Sequence, residues 1–298
     1  MIPFRRLLLD PRLLMLLLWL QLWWSLIPTW RDGEYYAYGW FVPFLALGFA
    51  LRRWQMVPGA SDAPAADVNK SFGWQWGVFL IAALLLILPL RLISEADPGW
   101  RLPILVHAAI VFALTHLLLW RAFSMKLSLW LLPVTVFALT AVPLPWQIEQ
   151  KLVRNLTGTV IDLTSETFLL LGRPVEVMGE RLAMNGEMVE VTEGCSGIRS
   201  LQSLGMAALF FGELLLLGWG RRLALVGVAA ALAVFVNTAR AWWLAEIHFS
   251  KGAAAADAAH DAIGHAAFAV SAGILFGSAY LLQRRHIGRK QVVVRRVQ

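Results

Sequence analysis

Eight stretches of this chain are apolar for most of their length, near residues 12–30, 36–51, 76–94, 102–120, 127–143, 197–217, 223–246 and 260–282. Most approach or exceed the roughly 18–20 residues that a helix needs to cross a bilayer. Their number leaves little room for a soluble fold. Of 298 residues, 59% are hydrophobic and only 15% are charged, whereas a soluble domain carries about a quarter charged residues. Trp occurs 15 times. Many copies stand at the edges of the apolar runs, among them Trp23, Trp24, Trp30, Trp74, Trp76, Trp100, Trp120, Trp130, Trp146 and Trp219, as an aromatic belt at the membrane–water boundary requires. The fold class expected is an all-α polytopic membrane protein of about eight transmembrane helices.

The net charge of +7 is not gathered into a basic stripe of the kind that binds nucleic acid. It lies in every second loop: Arg5, Arg6 and Arg12 before the first span, Arg52, Arg53 and Lys70 after the second, Arg121 and Lys126 after the fourth, Arg221 and Arg222 after the sixth, and Arg284, Arg285, Arg289, Lys290, Arg295 and Arg296 after the eighth. The positive-inside rule puts those loops and both termini in the cytoplasm, in an inner (plasma) membrane. The basic, apolar N-terminus resembles a signal peptide but lacks a small-residue cleavage site, and reads as a retained first helix. The one cysteine, Cys195, allows no intramolecular disulfide.

The outward loops at 31–35, 95–101 and 248–259 are short; the segment 144–195 is large. Its first part, Trp146 to Leu171, places Ile148, Leu152, Val153, Leu156, Val160, Leu163 and Phe168 at near-helical spacing, which predicts one or two amphipathic helices along the membrane surface. Its second part alternates apolar and polar residues around Gly179 and Asn185-Gly186, the pattern of a small β-hairpin or three-strand piece. The organisation expected is an N-terminal five-helix region over 1–143, a core over 144–283 and a basic cytoplasmic tail over 284–298, with a Pro/Ala/Ser-rich loop at 57–67.

Three polar groups fall in the last three spans. Cys195 sits where the hairpin ends and the sixth span begins. A helix N-terminus favours a thiolate there, as does Arg199, one turn deeper on the same face. The alternative is a small buried Cys and a snorkelling Arg. Arg240 lies in the outer half of the seventh span, with Asn237 one turn earlier. An intramembrane Arg costs at least about 2.5–3.5 kcal/mol and normally faces a cavity or a partner; the alternative is a structural pair with a carboxylate such as Glu246. His260, with Asp261 beside it and Gly264 one turn on, opens the eighth span. Its unperturbed pKa of about 6.5 suits proton transfer; the alternative is an interface residue, and His265 competes for the role. The topology brings Cys195, Arg240 and His260 to a similar depth on three successive helices. A thiol, a cation and a base are the parts of thiol acyl transfer.

The strings "CSGIRS" (195–200), "NTAR" (237–240) and "HDAIG" (260–264) resemble, in order and spacing, the boxes of the exosortase/archaeosortase family of membrane cysteine transpeptidases. The resemblance covers about residues 143–283. It implies an enzyme that recognises a C-terminal sorting signal on exported proteins: a short motif such as Pro-Glu-Pro, a transmembrane helix and a basic tail. In that reading Cys195 is the nucleophile, His260 the base and Arg240 the oxyanion partner. Arg199, Asn237, Asp261 and Gly264 bind substrate or support the site. The partners implied are the sorting-signal helix and a lipid or glycan acceptor. Two departures, Glu193-Gly194 before the Cys and His265 after Gly264, leave the subfamily and the substrate tail open. No cofactor is implied. Neither a metal-ligand cluster nor a phosphate-binding Gly-rich loop is evident in the sequence. A transporter or flippase also uses intramembrane Arg, but predicts a midplane cavity and inverted repeats, and no repeat is visible.

Overall fold

The computed structural model describes residues 10–32, 35–57, 74–190 and 198–297. The expectations on Arg5, Arg6, Lys70, most of the 57–67 loop, and the whole stretch from Glu193 to Gly197, Cys195 included, lie outside the described residues. The protein is mostly helical and divides into two compact units, Met1–Trp146 and Gln147–Gln298.

The N-terminal unit contains α1 (Pro11–Asp32), a 3-10 turn (Ala37–Trp40), α2 (Val42–Gln55), α3 (Trp74–Ala96), α4 (Leu102–Ala122) and α5 (Met125–Ala138). Its helices are apolar on most sides, so specific contacts come from the few polar groups. Ser124 caps α5, its hydroxyl accepting from the Leu127 N–H at 3.1 Å, which supplies one of the donors a helix start leaves unmet. His116 of α4 is held between the hydroxyls of Ser128 (2.9 Å) and Thr135 (2.8 Å) of α5. Arg53, 4% exposed, donates to the Trp130 carbonyl at 2.5 Å with its guanidinium 4.3 Å from the Trp130 ring centre. At the other end of the unit the Trp30 indole donates to the Ala141 carbonyl at 2.9 Å. That ring lies over Gly39: a Cβ there would stand 2.3 Å from the indole nitrogen, so only glycine fits.

Among the described residues four helices are long and apolar enough to cross a membrane: Pro11–Arg31, Leu102–Ala122, Trp219–Lys251 and Ala253–Arg284. There are five if Met125–Ala141 and Trp146–Leu170 together make one interrupted span. The stretches at 36–51 and 127–143 form helices of 14 residues each, about 21 Å of rise against a hydrocarbon core of about 30 Å.

The second unit begins with α6 (Trp146–Leu170), a single helix. The face it buries carries Glu149, Val153, Thr157, Val160, Ile161, Thr164 and Phe168, while Ile148 is exposed. The stripe is thus turned toward two threonines and a glutamate that apolar spacing alone passes over. The strands β1 (Glu176–Met178), β2 (Arg181–Met184) and β3 (Glu187–Glu190) form an antiparallel sheet in the order β1-β2-β3. Leu182 pairs with Val177 on one side and Val189 on the other. Asn185 (φ 55°) and Gly186 (φ 85°) make the β2–β3 turn, whose positive dihedrals match the twist of the strands. Fully buried Leu182 joins Ile161, Phe168, Leu244 and Ala245 in one apolar cluster; this seats the sheet on the helices.

The remaining chain is a three-helix body: α7 (Ile198–Leu214), α8 (Trp219–Lys251) and α9 (Ala253–Val297). Along α8, Leu225, Ala229, Ala233, Asn237 and Ala241 are all buried. Small side chains at this four-residue interval form a ridge that lets neighbouring backbones approach closely. Leu225, Ala229 and Ala233 join Leu204 and Ala208 of α7 and Leu275 and Ala279 of α9 in the body's core. The α7–α8 turn is closed by Leu217 N–H to the Gly212 carbonyl (2.8 Å) and Leu216 N–H to the Glu213 carbonyl (3.0 Å), a Schellman pattern with Leu216 at φ 50°. Arg222 fastens it: Nε donates to the Leu217 carbonyl and Nη2 to Glu213 Oε2, both at 2.7 Å. Both side chains of the pair are almost fully buried. Gly252 (φ 87°) alone separates α8 from α9. The eighth span and the basic tail expected separately at 260–282 and 284–298 are one continuous helix, Ala253–Val297.

Candidate active site

Arg240 and His260 meet across the α8–α9 hairpin. Arg240 lies three residues beyond Asn237, one turn along α8, and its long side chain reaches the first turns of α9. There Arg240 Nη2 is 2.9 Å from His260 Nε2. A guanidinium carries only donors, so Nε2 accepts and the imidazole proton falls on Nδ1. That nitrogen is 3.3 Å from Asp261 Oδ1. The assignment of the tautomer follows from the hydrogen-bond roles. His260 is 42% exposed and Asp261 91% exposed at the side chain, so the Asp contact is a solvated one worth little by itself.

Gly264, one turn beyond His260, faces the same guanidinium. A Cβ built there would stand 3.5 Å from Nη2 and 3.6 Å from Cζ and Nε of Arg240. That is ordinary contact, with no space for a second carbon in that direction. Below the pair, Ser200, Asn237, Arg240, Gly264 and Ser271 line a cavity of about 20 Å³, the space of a single water molecule. Asn237 is 3% exposed. Each of the three helices contributes a polar group to this cavity, in a body otherwise packed with Leu and Ala.

Of the site residues read from the sequence, the structure therefore brings together Arg240, His260, Asp261, Gly264 and Asn237. Arg199 is the second residue of α7 and exposed; Ser200, its neighbour, is the part of that box that lines the cavity. His265 is exposed. The carboxylate weighed as a structural partner for Arg240 is engaged elsewhere: Glu246 pairs with Arg173, just after α6. Glu149 of α6, fully buried, lies 3.5 Å from the Gln202 amide on α7. Its place beside Gln202 was not legible from α6's own pattern, because a single glutamate on an amphipathic helix reads as a solvated residue. Ser271 was missed for a similar reason; a serine in an apolar helix gives no signal until its neighbours are known. Among the described residues no group of three or more His, Cys, Asp and Glu could hold a metal.

The family model of transmembrane exosortases matches residues 30–277. The chain belongs to the transmembrane exosortase family. The match extends well upstream of the three boxes and takes in most of the N-terminal unit, which the box resemblance alone did not reach. No curated protein and no solved structure matches the chain. Membership supports a membrane transpeptidase-type role, and the Arg–His pair sits in two of the three boxes that carried the resemblance.

Proposed function

We propose that this exosortase-family protein is a membrane cysteine transpeptidase that cuts C-terminal sorting signals from exported proteins and transfers the new C-terminus to a lipid or glycan acceptor. The observation that carries this reading is the 2.9 Å contact between Arg240 and His260. A guanidinium held against an imidazole is an arrangement that can serve both a developing oxyanion and a departing proton.

In this mechanism the Cys195 thiol gives its proton to His260 Nε2, which exchanges its bond with Arg240 for the thiol. The thiolate attacks a peptide carbonyl of the signal. The carbonyl oxygen becomes an oxyanion, and Arg240, released from Nε2, donates to it. The intermediate collapses with loss of the amine, which takes the proton from the His260 imidazolium, leaving a thioester on Cys195. An acceptor hydroxyl or amine, deprotonated by His260, attacks the thioester; the sulfur leaves and is reprotonated. Asn237 and Gly264 set the position of Arg240. Arg240, a donor only, leaves Nε2 unprotonated and so the reactive nitrogen, and Asp261 adds a weak solvated contact to Nδ1–H. Arg199 favours the thiolate or meets an acidic residue of the substrate motif. The chain crosses an inner membrane about eight times with both termini in the cytoplasm and the thiol facing outward.

The test uses the full chain co-expressed with an exported protein carrying its cognate sorting signal. Wild type should release the tail, and hydroxylamine should trap an acyl group from Cys195, seen by mass spectrometry. Cys195→Ala should abolish both. Arg240→Lys keeps the charge but loses the planar fork, and processing should fall by about 10²–10³. Undiminished processing by Cys195→Ala would end the thiol mechanism. A thiol that reacts with impermeant reagents only from the cytoplasmic side would end the outward assignment.

A further inference from the structure

The N-terminal unit holds a groove of about 380 Å³ bordered by α1, α2, α4 and α5, within the range of small-ligand sites. Its wall is almost wholly hydrocarbon, with Leu16, Trp19, Ala46, Leu51, Leu119 and Ala138 among its lining. The two hydroxyls that face it are engaged. Thr115 donates to the Val111 carbonyl at 2.7 Å and accepts from the Trp19 indole at 3.0 Å. Thr135 donates to the Leu132 carbonyl at 2.9 Å and bonds His116 at 2.8 Å. A polar ligand would find few partners along this wall. The groove is elongated: Arg12 and Trp23 both line it, and eleven residues of helix separate them, roughly 16 Å. Leu16, Leu47 and Leu51 on its border are exposed, so it opens sideways as well as at its end.

Among the described lining residues the charged one is Arg12, at one end. Arg12 stands there with its guanidinium 5.0 Å from the Trp54 ring centre and 5.5 Å from that of Phe123. These contacts show that the start of α1, the end of α2 and the end of α4 converge. Arg52 and Arg53 in the last turn of α2, Arg121 in the last turn of α4 and Lys126 in the first turn of α5 belong to the same end. Asp10, also at this end, accepts from the Arg12 backbone N–H at 2.8 Å.

We propose that this groove binds one anionic phospholipid, a hydrocarbon chain lying along α1 and the phosphate at Arg12. A hydrocarbon slot with a cationic end fits an amphiphile whose charge is negative and terminal. A peptide helix, about 10 Å across, fits the same slot poorly. The site uses the N-terminal unit alone and does not rest on the thiol chemistry.

The full chain, purified in detergent from vesicles of equal phosphatidylglycerol and phosphatidylethanolamine, is analysed for retained lipid by native mass spectrometry. One nearby cation contributes about fivefold in favour of the anionic lipid. Wild type should retain phosphatidylglycerol by at least that ratio, and Arg12→Gln, at an exposed position, should cut the preference about fivefold while the protein stays folded by its melting temperature. Ala50→Phe, which fills the groove, should lower retention of both lipids. Should Ala50→Phe fail to fold, Arg12→Gln carries the test alone. Equal retention of the two lipids by wild type, or a preference unchanged by Arg12→Gln, overturns the proposal. So does displacement of the lipid by a neutral transmembrane peptide, which would make the groove a helix-docking site.

Discussion

The space between Gly264 and Arg240 allows a graded test of the site. A methyl group at position 264 would rest 3.5–3.6 Å from three atoms of the guanidinium. That is contact without compression, so Gly264→Ala should keep the Arg240–His260 bond; replacing Gly by Ala within a helix even favours it by roughly 0.5–1 kcal/mol. A further carbon is another matter. A γ-carbon lies about 1.5 Å beyond Cβ; directed at Arg240 it would stand about 2 Å from Nη2, well inside contact. Val has two such carbons and one strongly preferred rotamer in a helix, so it has little freedom to turn both away. Gly264→Val should therefore push the guanidinium off His260. In the proposed mechanism the oxyanion loses its donor, and processing falls by about 10²–10³, or 2.7–4 kcal/mol. The assay is the rate of tail release from the cognate substrate by immunoblot, with each variant's melting temperature in detergent as the control on folding. Gly264→Ala should stay within about threefold of wild type. If Ala and Val are equally inactive while both fold, contact with Arg240 is not what position 264 governs. If Val is fully active, the Arg240–His260 bond has no part in the rate.

Three further predictions concern the scaffold. Arg222→Met removes the cation paired with the buried Glu213 carboxylate and should destabilise the protein by about 3–5 kcal/mol, whereas Arg222→Met with Glu213→Leu should recover most of the loss; unfolding midpoints in a denaturing detergent series distinguish them. Gly39→Ala drives a methyl into the Trp30 ring and should cost about 1–3 kcal/mol, with a blue or red shift of Trp fluorescence as the indole leaves the Ala141 carbonyl. Leu216→Gly relieves a left-handed residue and should raise stability by up to about 1 kcal/mol, read as a higher melting temperature with unchanged processing.

The helices and the small sheet were legible because their signals are local. Apolar runs mark α1 and α4, and the Asn185-Gly186 pair marks the β2–β3 turn. Span counting was less direct: a stretch such as 36–51 is apolar for 16 residues yet folds as a 3-10 turn followed by a 14-residue helix. Hydropathy does not record where a helix starts. The Arg240–His260 contact was legible only as a shared depth, which the Gly252 turn converts into a contact. The partner of Glu246 was not legible, since Arg173 lies 73 residues away and no local pattern joins them. The buried Glu149 and Ser271 were hidden for the same reason: polar residues become informative only after the helices are packed.

The single glycine between α8 and α9 has a consequence for assembly. Arg240 and His260 are twenty residues apart, joined by a connection with essentially no slack, and the entropy of closing so short and stiff a segment is small beside that of bringing distant helices together. The guanidinium–imidazole half of the proposed machinery is thus intrinsic to one helical hairpin and is formed whenever that hairpin is. In the proposed mechanism the remaining part, Cys195, precedes α7 in sequence, so the docking of α7 onto the finished pair is the step that completes it.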